Sequence, residues 1–190
     1  MRCDLCKSQA VFHITVARQR LCAEEKHLCE KHGQDVAETV PPEPLPTNGA
    51  ARAANGMARF DIDMLVISEI SDIQIIFLRE EGGSRRFHLV CGIFEATSLD
   101  RTLKHVAATR PLTHDAWAGT IRALGGTLED VLVSDLSNHT YYAKLRIRQT
   151  DGRSAEVDVR PSDALNLAVL CGVPILIAEQ VLAAVGARGF

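Results

Sequence analysis

The stretch of residues 156–181, EVDVRPSDALNLAVLCGVPILIAEQV, carries the strongest local signals in this chain. Pro161 follows a short strand-like segment, and proline is favoured at the first helical position because its φ angle is already helical and its missing N–H is not needed there. Gly172 offers a left-handed stop, and Pro174 prevents the helix from continuing. The stretch therefore predicts a strand, a sharp corner, a helix that begins at Pro161, and a buried strand over 175–178.

This corner places four polar residues within a short distance of one another. They are Asp158, Arg160, Ser162 and Asp163. Asp163 falls in the first helical turn, where the helix dipole stabilises a carboxylate.

The size and composition of the chain predict a protein without membrane spans. With 190 residues, 46% of them hydrophobic, the chain can bury a core, and we expect one domain plus a small appendage. The most apolar run, residues 164–178, is interrupted by polar and helix-breaking residues and is shorter than the ~20 residues of a membrane helix. The first residues, MRCDLC, contain no apolar signal core, so we expect a cytoplasmic protein whose thiols are reduced or metal-bound.

Two short pairs of ligand residues near the start predict a zinc site. Cys3 and Cys6 form one pair, and Cys29 and His32 form the other. Each pair lets both side chains turn toward one ion, and together they supply a tetrahedral Cys₃His set. Zinc would then provide the folding energy that so short a segment lacks. The alternative is that some of these cysteines are merely small buried residues.

The segment between these pairs resembles the hairpin of a zinc ribbon. Residues 11–16 alternate as a strand, and residues 23–26 are expected to form the turn. Cys22 has no partner at metal spacing, and His27 could replace His32 only through a less regular loop. The patterns CDLC and HLCEKH resemble the ribbon of protein-arginine-kinase activators, where the ribbon is structural or contacts a partner.

Composition divides the chain into three parts. We assign residues 1–35 to the ribbon, residues 36–56 to a linker with four prolines followed by small residues, and residues 57–190 to the main domain. Such a linker predicts that the ribbon and the main domain move independently unless a partner docks them together.

The sequence pattern of the main domain occurs twice: three strands are followed by helix-like segments in each half. The first strands are expected over 60–66, 73–78 and 86–91, and the second set over 128–136, 141–149 and 155–159. The predicted class is α+β, with a mainly antiparallel sheet and helices on one face.

Two helices are predicted between the halves. The first begins near Phe94 and is expected to direct Val106 inward together with earlier apolar residues, and the second begins after Thr113 as N-cap, with Trp117 and Leu124 inward. Trp117 at this spacing indicates packing rather than base stacking.

The hairpin at residues 150–152 allows a choice of register. A three-residue loop ending in Gly152 pairs apolar residues with apolar residues and sets Lys144 opposite Asp158. A two-residue Asp-Gly turn would mix charged and apolar groups on both faces. The three-residue loop is therefore predicted, with Asp158 and Arg160 on the polar face.

Four motifs, in order, resemble the bifunctional nuclease domain family. They are IFEA at 93–96, RPLTHD at 110–115, YYAKL at 141–145 and VDVRPSDALNLA at 157–168. The resemblance covers roughly residues 58–185 and implies a compact α+β domain that self-associates and cleaves DNA and RNA. It brings no established mechanism, and the ribbon lies outside it.

Phosphodiester hydrolysis requires an activated water, neutralisation of the phosphate charge and protonation of the leaving group, and polar residues of the four motifs could supply these. Carboxylates that hold Mg²⁺ or Mn²⁺ or act as a base are the expected catalytic groups, and Arg160, Ser162 and Lys144 are the expected phosphate contacts. The catalytic candidates are Asp158, Asp163, Glu95 and His114, the last as an acid or base near neutral pH. Three of these four have a specific structural alternative: Asp158 could simply pair with Lys144, Asp163 could stabilise its helix, and His114 could be an ordinary first-turn residue.

The leading hypothesis is a nuclease acting on DNA or RNA. The net charge of −3 does not favour tight non-specific nucleic-acid binding. A non-enzymatic regulator is therefore the alternative: its zinc ribbon would recruit a protein partner while the main domain forms a homo-oligomer or binds a small ligand. A third hypothesis is a nucleic-acid-binding module without catalysis, which the lack of a basic stripe also disfavours.

Overall fold

A computed structural model describes residues 1–39, 56–83 and 85–186 of the chain. Its strands are β1 (Phe12–Arg18), β2 (Leu21–Leu28), β3 (Met57–Ser68), β4 (Gln74–Glu80), β5 (Arg86–Cys91), β6 (Thr127–Ser137), β7 (Thr140–Arg148), β8 (Ser154–Val159) and β9 (Ile175–Ala178). Its helices are α1 (Glu30–Thr39), α2 (Ile93–Leu103), α3 (Thr113–Ala123), α4 (Pro161–Cys171) and α5 (Glu179–Gly186).

All of these strands join one nine-stranded sheet. The path runs β2-β1-β3-β9-β6-β7-β8, and β4 extends it from β3 toward β5. The described pairings are antiparallel apart from that of β6 with β9. Helices α2, α3 and α4 pack against one another and against the sheet. The predicted α+β class, with its repeated order of three strands and a helix, is confirmed.

The register of the second hairpin is also confirmed. Ala143 pairs with Val159, and Lys144 lies opposite Asp158. Gly152 has a φ of +83°, a left-handed conformation that glycine adopts without steric cost. Asp158 is exposed at the strand surface, as the apolar-to-apolar pairing requires.

The prediction that the ribbon moves independently is wrong. Strand β1 pairs antiparallel with β3 along residues 12–16, so the ribbon extends the main sheet. Its small core contains Phe12 and Ile14 together with Val66 and Phe77 of the main domain. Apolar side chains on both sides of the β1–β3 pairing share this core, which explains why the segment does not remain separate.

The predicted turn at residues 23–26 is also wrong. Gln19 and Arg20 form the turn, with φ angles of 51° and 62°, and residues 23–26 lie within β2. A two-residue hairpin with positive φ at both positions matches the right-handed twist of its strands. This turn contains no glycine, the residue that most often marks positive φ angles, so its sequence signal is weak.

Three details of the helices differ from expectation. Helix α2 ends at Leu103, and His105 takes a φ of 53°, so Val106 lies beyond the helix and is exposed. Leu124 follows the end of α3 and is 82% exposed. Leu112, rather than Thr113, is the N-cap of α3, and Asp115 accepts a hydrogen bond from its N–H at 2.9 Å.

Helices α1 and α5 were not predicted. The first four residues of the predicted linker belong to α1, and residues 40–55 of that linker lie outside the described residues. Trp117 is half-buried against the main core, as its spacing predicted.

Candidate functional site

The corner between β8 and α4 has the predicted form. Arg160 is the extended N-cap residue, Pro161 occupies the first helical turn, and Gly172 ends the helix with a φ of 70°. From this corner Arg160 reaches Glu95 of α2, and Asp163 reaches His114 of α3.

Arg160 joins two carboxylates from different helices. Its Nε donates to Oδ2 of Asp163 at 2.8 Å, and its Nη2 donates to Oε1 of Glu95 at 2.6 Å. Asp163 and then Glu95 raise the pKa of the guanidinium above its ordinary value, because both favour its charged form. The Arg160 side chain is nevertheless 67% exposed, so the group remains open to solvent.

His114 connects the third helix to this pair. It lies in the first turn of α3 and is only 7% exposed. Its Nε2 lies 3.0 Å from Oδ1 of Asp163, and its Nδ1 lies 2.9 Å from Oγ of Ser98. Three helices therefore contribute to one continuous hydrogen-bonded chain.

A second ion pair fixes the start of α3 against α2. Nη2 of Arg101 donates to both carboxylate oxygens of Asp115, at 3.2 and 3.1 Å. The Leu112 N–H and then Arg101 lower the pKa of Asp115, because both stabilise its charged form. This bidentate contact holds the turn that carries His114.

Asn166 ties α4 to α2 beneath the surface. Its Nδ2 donates to the carbonyl oxygens of Glu95 and Ser162, at 3.1 and 3.0 Å. These bonds fix the position of the Glu95 backbone relative to the start of α4, and so they place the Glu95 side chain next to Arg160. The Oδ1 atom of Asn166 is buried and has no hydrogen-bond partner among the described residues.

These groups line an open hollow of about 790 Å³. Its apolar rim includes Phe94, which is 85% exposed. Its polar lining consists of Glu95, Thr97, Ser98, Arg101, Thr113, His114, Arg160 and Asp163. The volume is ample for a phosphate group and part of a nucleotide.

The structure brings together four of the predicted site residues: Glu95, His114, Arg160 and Asp163. Lys144 instead contacts Glu156 at 2.5 Å, so the suggested ion pair between Lys144 and Asp158 does not form.

Two further predicted residues stand apart from the hollow. Asp158 is exposed on β8, Ser162 is buried in the first turn of α4, and neither residue lines the hollow. No described contact connects either of them with His114.

Sequence reasoning missed Ser98 and Arg101. Ser98 follows Glu95 by one helical turn, so the two side chains share a face of α2. This spacing was the one sequence signal for Ser98. It indicates a site only once the fold places His114 of α3 against the same face of α2.

The four predicted ribbon ligands also converge. Ligand atoms of Cys3, Cys6, Cys29 and His32 all lie within 4.8 Å of one another. Sγ of Cys6 lies 3.6 Å from Sγ of Cys29, and Sγ of Cys29 lies 3.4 Å from Nδ1 of His32. Zinc–sulfur bonds of about 2.3 Å in a tetrahedron give sulfur–sulfur edges of about 3.8 Å, so the donor set fits a metal ion such as zinc.

The chemistry of the cluster also suits a metal ion. Burial opposes ionisation of Cys3, but hydrogen bonds from the backbone of Cys29 and from His32 outweigh it and lower the pKa of Cys3 to about 5. Thiolates are the form that binds zinc. In the described part of the chain, this is the one convergent group of three or more His, Cys, Asp or Glu side chains.

The two residues left unassigned in the ribbon lie outside this cluster. Nδ1 of His27 contacts Nδ1 of His13 at 2.9 Å, and Nε2 of His13 contacts Glu69. Cys22 is half-buried and contacts the backbone of Glu24.

The hollow therefore has the form of a polar binding site that is open to solvent. Its arginine and its histidine are both oriented by carboxylates. A family model of the bifunctional nuclease domain matches residues 76–188, which include every group in the hollow. This chain belongs to the bifunctional nuclease domain family.

The similar proteins include one that is uncharacterized and two that are named bifunctional nucleases. An uncharacterized protein of Mycobacterium tuberculosis is 38% identical over 112 residues, covering 59% of this chain and 66% of that protein. Bifunctional nuclease 2 of Arabidopsis thaliana is 25% identical over 116 residues, covering 60% of this chain and 35% of that protein. Bifunctional nuclease 1 of Oryza sativa subsp. indica is 21% identical over 109 residues, covering 56% and 33% respectively.

The similarity is confined to a part of each relative. The matched region spans just under two thirds of the mycobacterial protein and about a third of each plant protein. Among the described helices, none is long and apolar enough to cross a membrane.

Proposed function

We propose that the protein is a nuclease that hydrolyses phosphodiester bonds in DNA or RNA at the hollow between α2, α3 and α4. The observation that carries this proposal is the convergence of Arg160, Asp163 and His114 in one hollow. Family membership supports the same class of reaction.

Arg160 is suited to bind the scissile phosphate. Its contacts with Asp163 and Glu95 use Nε and Nη2, and none of the described hydrogen bonds involves its Nη1. Two N–H donors on one exposed nitrogen can therefore bind phosphate oxygens while the carboxylates keep the guanidinium in place. The amino terminus of α4 adds a favourable potential for an anion.

His114 is suited to transfer protons at the same place. Its ring is held by Asp163 on one side and by Ser98 on the other, so one orientation is fixed. Imidazole can take up and release a proton near neutral pH, as hydrolysis requires at the attacking and leaving oxygens.

The predicted Mg²⁺ or Mn²⁺ remains part of this proposal. Glu95 and Asp163 are two carboxylates that a cation could share with substrate phosphate oxygens. Both now contact Arg160, so cation binding requires Arg160 to release at least one of them. A bound cation would supply charge neutralisation at the phosphate.

Cleavage of single-stranded DNA and RNA, with Mg²⁺, Mn²⁺ or chelator, tests the proposal. Arg160→Gln and His114→Asn should each lower kcat/KM by about 100-fold, as is usual for a charge contact or an acid–base group. Arg153→Gln is the matched control, because Arg153 is an exposed arginine paired with Asp151 outside the hollow. Equal activity in Arg160→Gln and Arg153→Gln would contradict the proposal.

Asp158 and Asp163 can be compared directly in the same assay. We expect Asp163→Ala to reduce cleavage strongly, because Asp163 contacts both Arg160 and His114. Three residues outside the hollow remain predicted site residues: Asp158, Lys144 and Ser162. If substituting them lowers cleavage in the same assay, a long substrate extends from the hollow along β8.

The alternative is a regulator that recruits a protein through its ribbon. The exposed, charged strand β2 at the sheet edge favours this candidate. Two results together would support the regulator. The wild-type protein would cleave neither DNA nor RNA under any cation condition, and it would bind one purified partner saturably. Loss of the four-ligand cluster would abolish that binding.

We further propose structural zinc in the ribbon, a cytoplasmic location and a homo-oligomer. Val90 and Phe94 are exposed apolar residues at β5 and the start of α2, and they suit a contact between copies of this chain. Light scattering measures the assembly size, and a monomer at all concentrations would contradict the last proposal.

A further inference from the structure

The proposed acid–base chemistry gives Ser98 only the role of a hydrogen-bond partner that orients His114. Ser98 lies on the second turn of α2, lines the hollow and is partly exposed. Its Oγ is 2.9 Å from Nδ1 of His114, whose Nε2 is 3.0 Å from Asp163. A hydroxyl, an imidazole and a carboxylate thus follow one another in hydrogen-bond order.

The proton positions follow from the partners of the imidazole. An ionised carboxylate can only accept hydrogen bonds, and Asp163 already accepts one from Arg160 at 2.8 Å. In neutral His114 the proton therefore lies on Nε2, which donates to Asp163. Nδ1 then carries the lone pair and accepts a hydrogen bond from the Ser98 hydroxyl.

This tautomer is the one that activates a serine. A base in contact with the hydroxyl, itself oriented by a third group, is the general arrangement of nucleophilic catalysis. The ring is reversed relative to the usual serine hydrolases, where Nε2 faces the serine, but either nitrogen can accept the proton. Arg160 lies beside the same carboxylate and can hold the phosphate next to Ser98.

We propose that Ser98 is the nucleophile of the phosphodiester cleavage, a step that rests on the proposed nuclease function. Oγ attacks phosphorus while its proton passes to Nδ1 of His114. The bond from phosphorus to the leaving oxygen breaks, and that oxygen takes the proton from His114. One part of the nucleic acid leaves, and the other stays attached to Ser98 through its phosphate.

Water completes the cycle. His114 takes a proton from water as its oxygen attacks phosphorus, the bond between phosphorus and Oγ breaks, and Oγ recovers that proton. One water is consumed for each bond cleaved, and the products are a hydroxyl end and a phosphate monoester end. No redox change takes place.

Ser98→Ala is the direct test, measured with single-stranded DNA and RNA. We expect a fall in kcat of at least about 100-fold, with KM and melting temperature close to wild type, because the phosphate contact of Arg160 is retained. Thr120→Ala is the matched control, since Thr120 is a helical hydroxyl residue outside the hollow that bonds a backbone carbonyl. A Ser98→Ala rate within threefold of wild type would overturn the proposal.

Labelling with a fluorophosphonate tests the nucleophile without a nucleic acid. We expect a covalent phosphonyl adduct on Ser98, located by peptide mass spectrometry, to form at least tenfold faster in wild type than in Asp163→Asn. Labelling of Ser98 no faster than that of Ser134, an ordinary serine on β6, would overturn the proposal.

The two measurements separate this proposal from the broader one. If the wild type and Ser98→Ala cleave nucleic acid equally well, Ser98 is not the nucleophile, but the nuclease proposal stands. Rapid labelling of Ser98 in a protein that cleaves no nucleic acid removes the nuclease and supports an activated serine.

Discussion

Arg20, in the turn of the ribbon hairpin, donates a hydrogen bond from Nη1 to the backbone carbonyl of Val173, just beyond the end of α4. Its Nε also pairs with Asp61 of β3 at 2.8 Å. In the middle of β2, Glu25 contacts Lys104, which directly follows α2, at 2.7 Å. The ribbon therefore contacts residues that directly follow α4 and α2, two of the three helices that line the hollow.

Replacing Arg20 should loosen this attachment. Arg20→Met should lower the free energy of unfolding by about 2 kcal/mol, because a mostly buried ion pair with a backbone contact is lost. Arg18→Met is the control, since Arg18 is exposed at the end of β1. Chemical denaturation measures both, and equal midpoints would show that the attachment contributes nothing to stability.

The cluster of Cys3, Cys6, Cys29 and His32 gives a second prediction, which tests the proposed zinc. Elemental analysis of reduced protein should find about one zinc per chain, from a single four-ligand site. Cys29→Ser should lose the metal and expose β1 to hydrogen exchange, because Cys29 and Phe12 share the ribbon core. Cys22→Ser should keep the metal, and wild-type protein without zinc would refute the assignment.

Gly33 gives a third prediction. A Cβ at this position would lie 2.2 Å from the Phe12 ring, so Gly33→Ala must displace that ring from the ribbon core. We expect a loss of about 1–3 kcal/mol from overpacking, together with weaker metal retention. Gly119→Ala in α3 meets open space and should instead stabilise the protein by up to about 1 kcal/mol. Equal thermal shifts in the two variants would contradict this prediction.

The pH dependence of stability gives a fourth prediction. Arg85 donates to Glu80 at 2.9 Å and to Glu179 at 2.7 Å, and its hydrogen bond lowers the pKa of Glu80 below the ordinary 4.5. A carboxylate with a lowered pKa stabilises the folded state above its unfolded pKa, and this contribution is lost as pH falls through the folded pKa. Glu80→Gln should therefore cost about 2 kcal/mol at pH 7 and progressively less below pH about 4.5.

Glu81→Gln is the control for this measurement. Glu81 is the neighbouring carboxylate, and its pair with Arg59 is largely exposed, so its replacement should change stability by less than about 0.5 kcal/mol. A Glu80→Gln difference that stays constant from pH 7 to pH 3 would show that the Glu80 carboxylate is not the source of the effect.

The sequence by itself determined the features that depend on neighbours within a few residues. Pro161 and Gly172 defined α4, and Gly152 with the alternating pattern determined the register of β7 with β8. The two short Cys and His pairs identified the four side chains that converge in the ribbon. Turn chemistry and periodicity act locally, so each of these could be read directly.

Only the tertiary structure decided which groups meet in the hollow. Ser98 and His114 are 16 residues apart, and His114 and Asp163 are 49 apart. Their contact depends on how α2, α3 and α4 cross on the sheet, which local signals do not specify. The ribbon joined the main sheet for a similar reason, since the apolar faces of β1 and β3 are buried only when these distant strands pair.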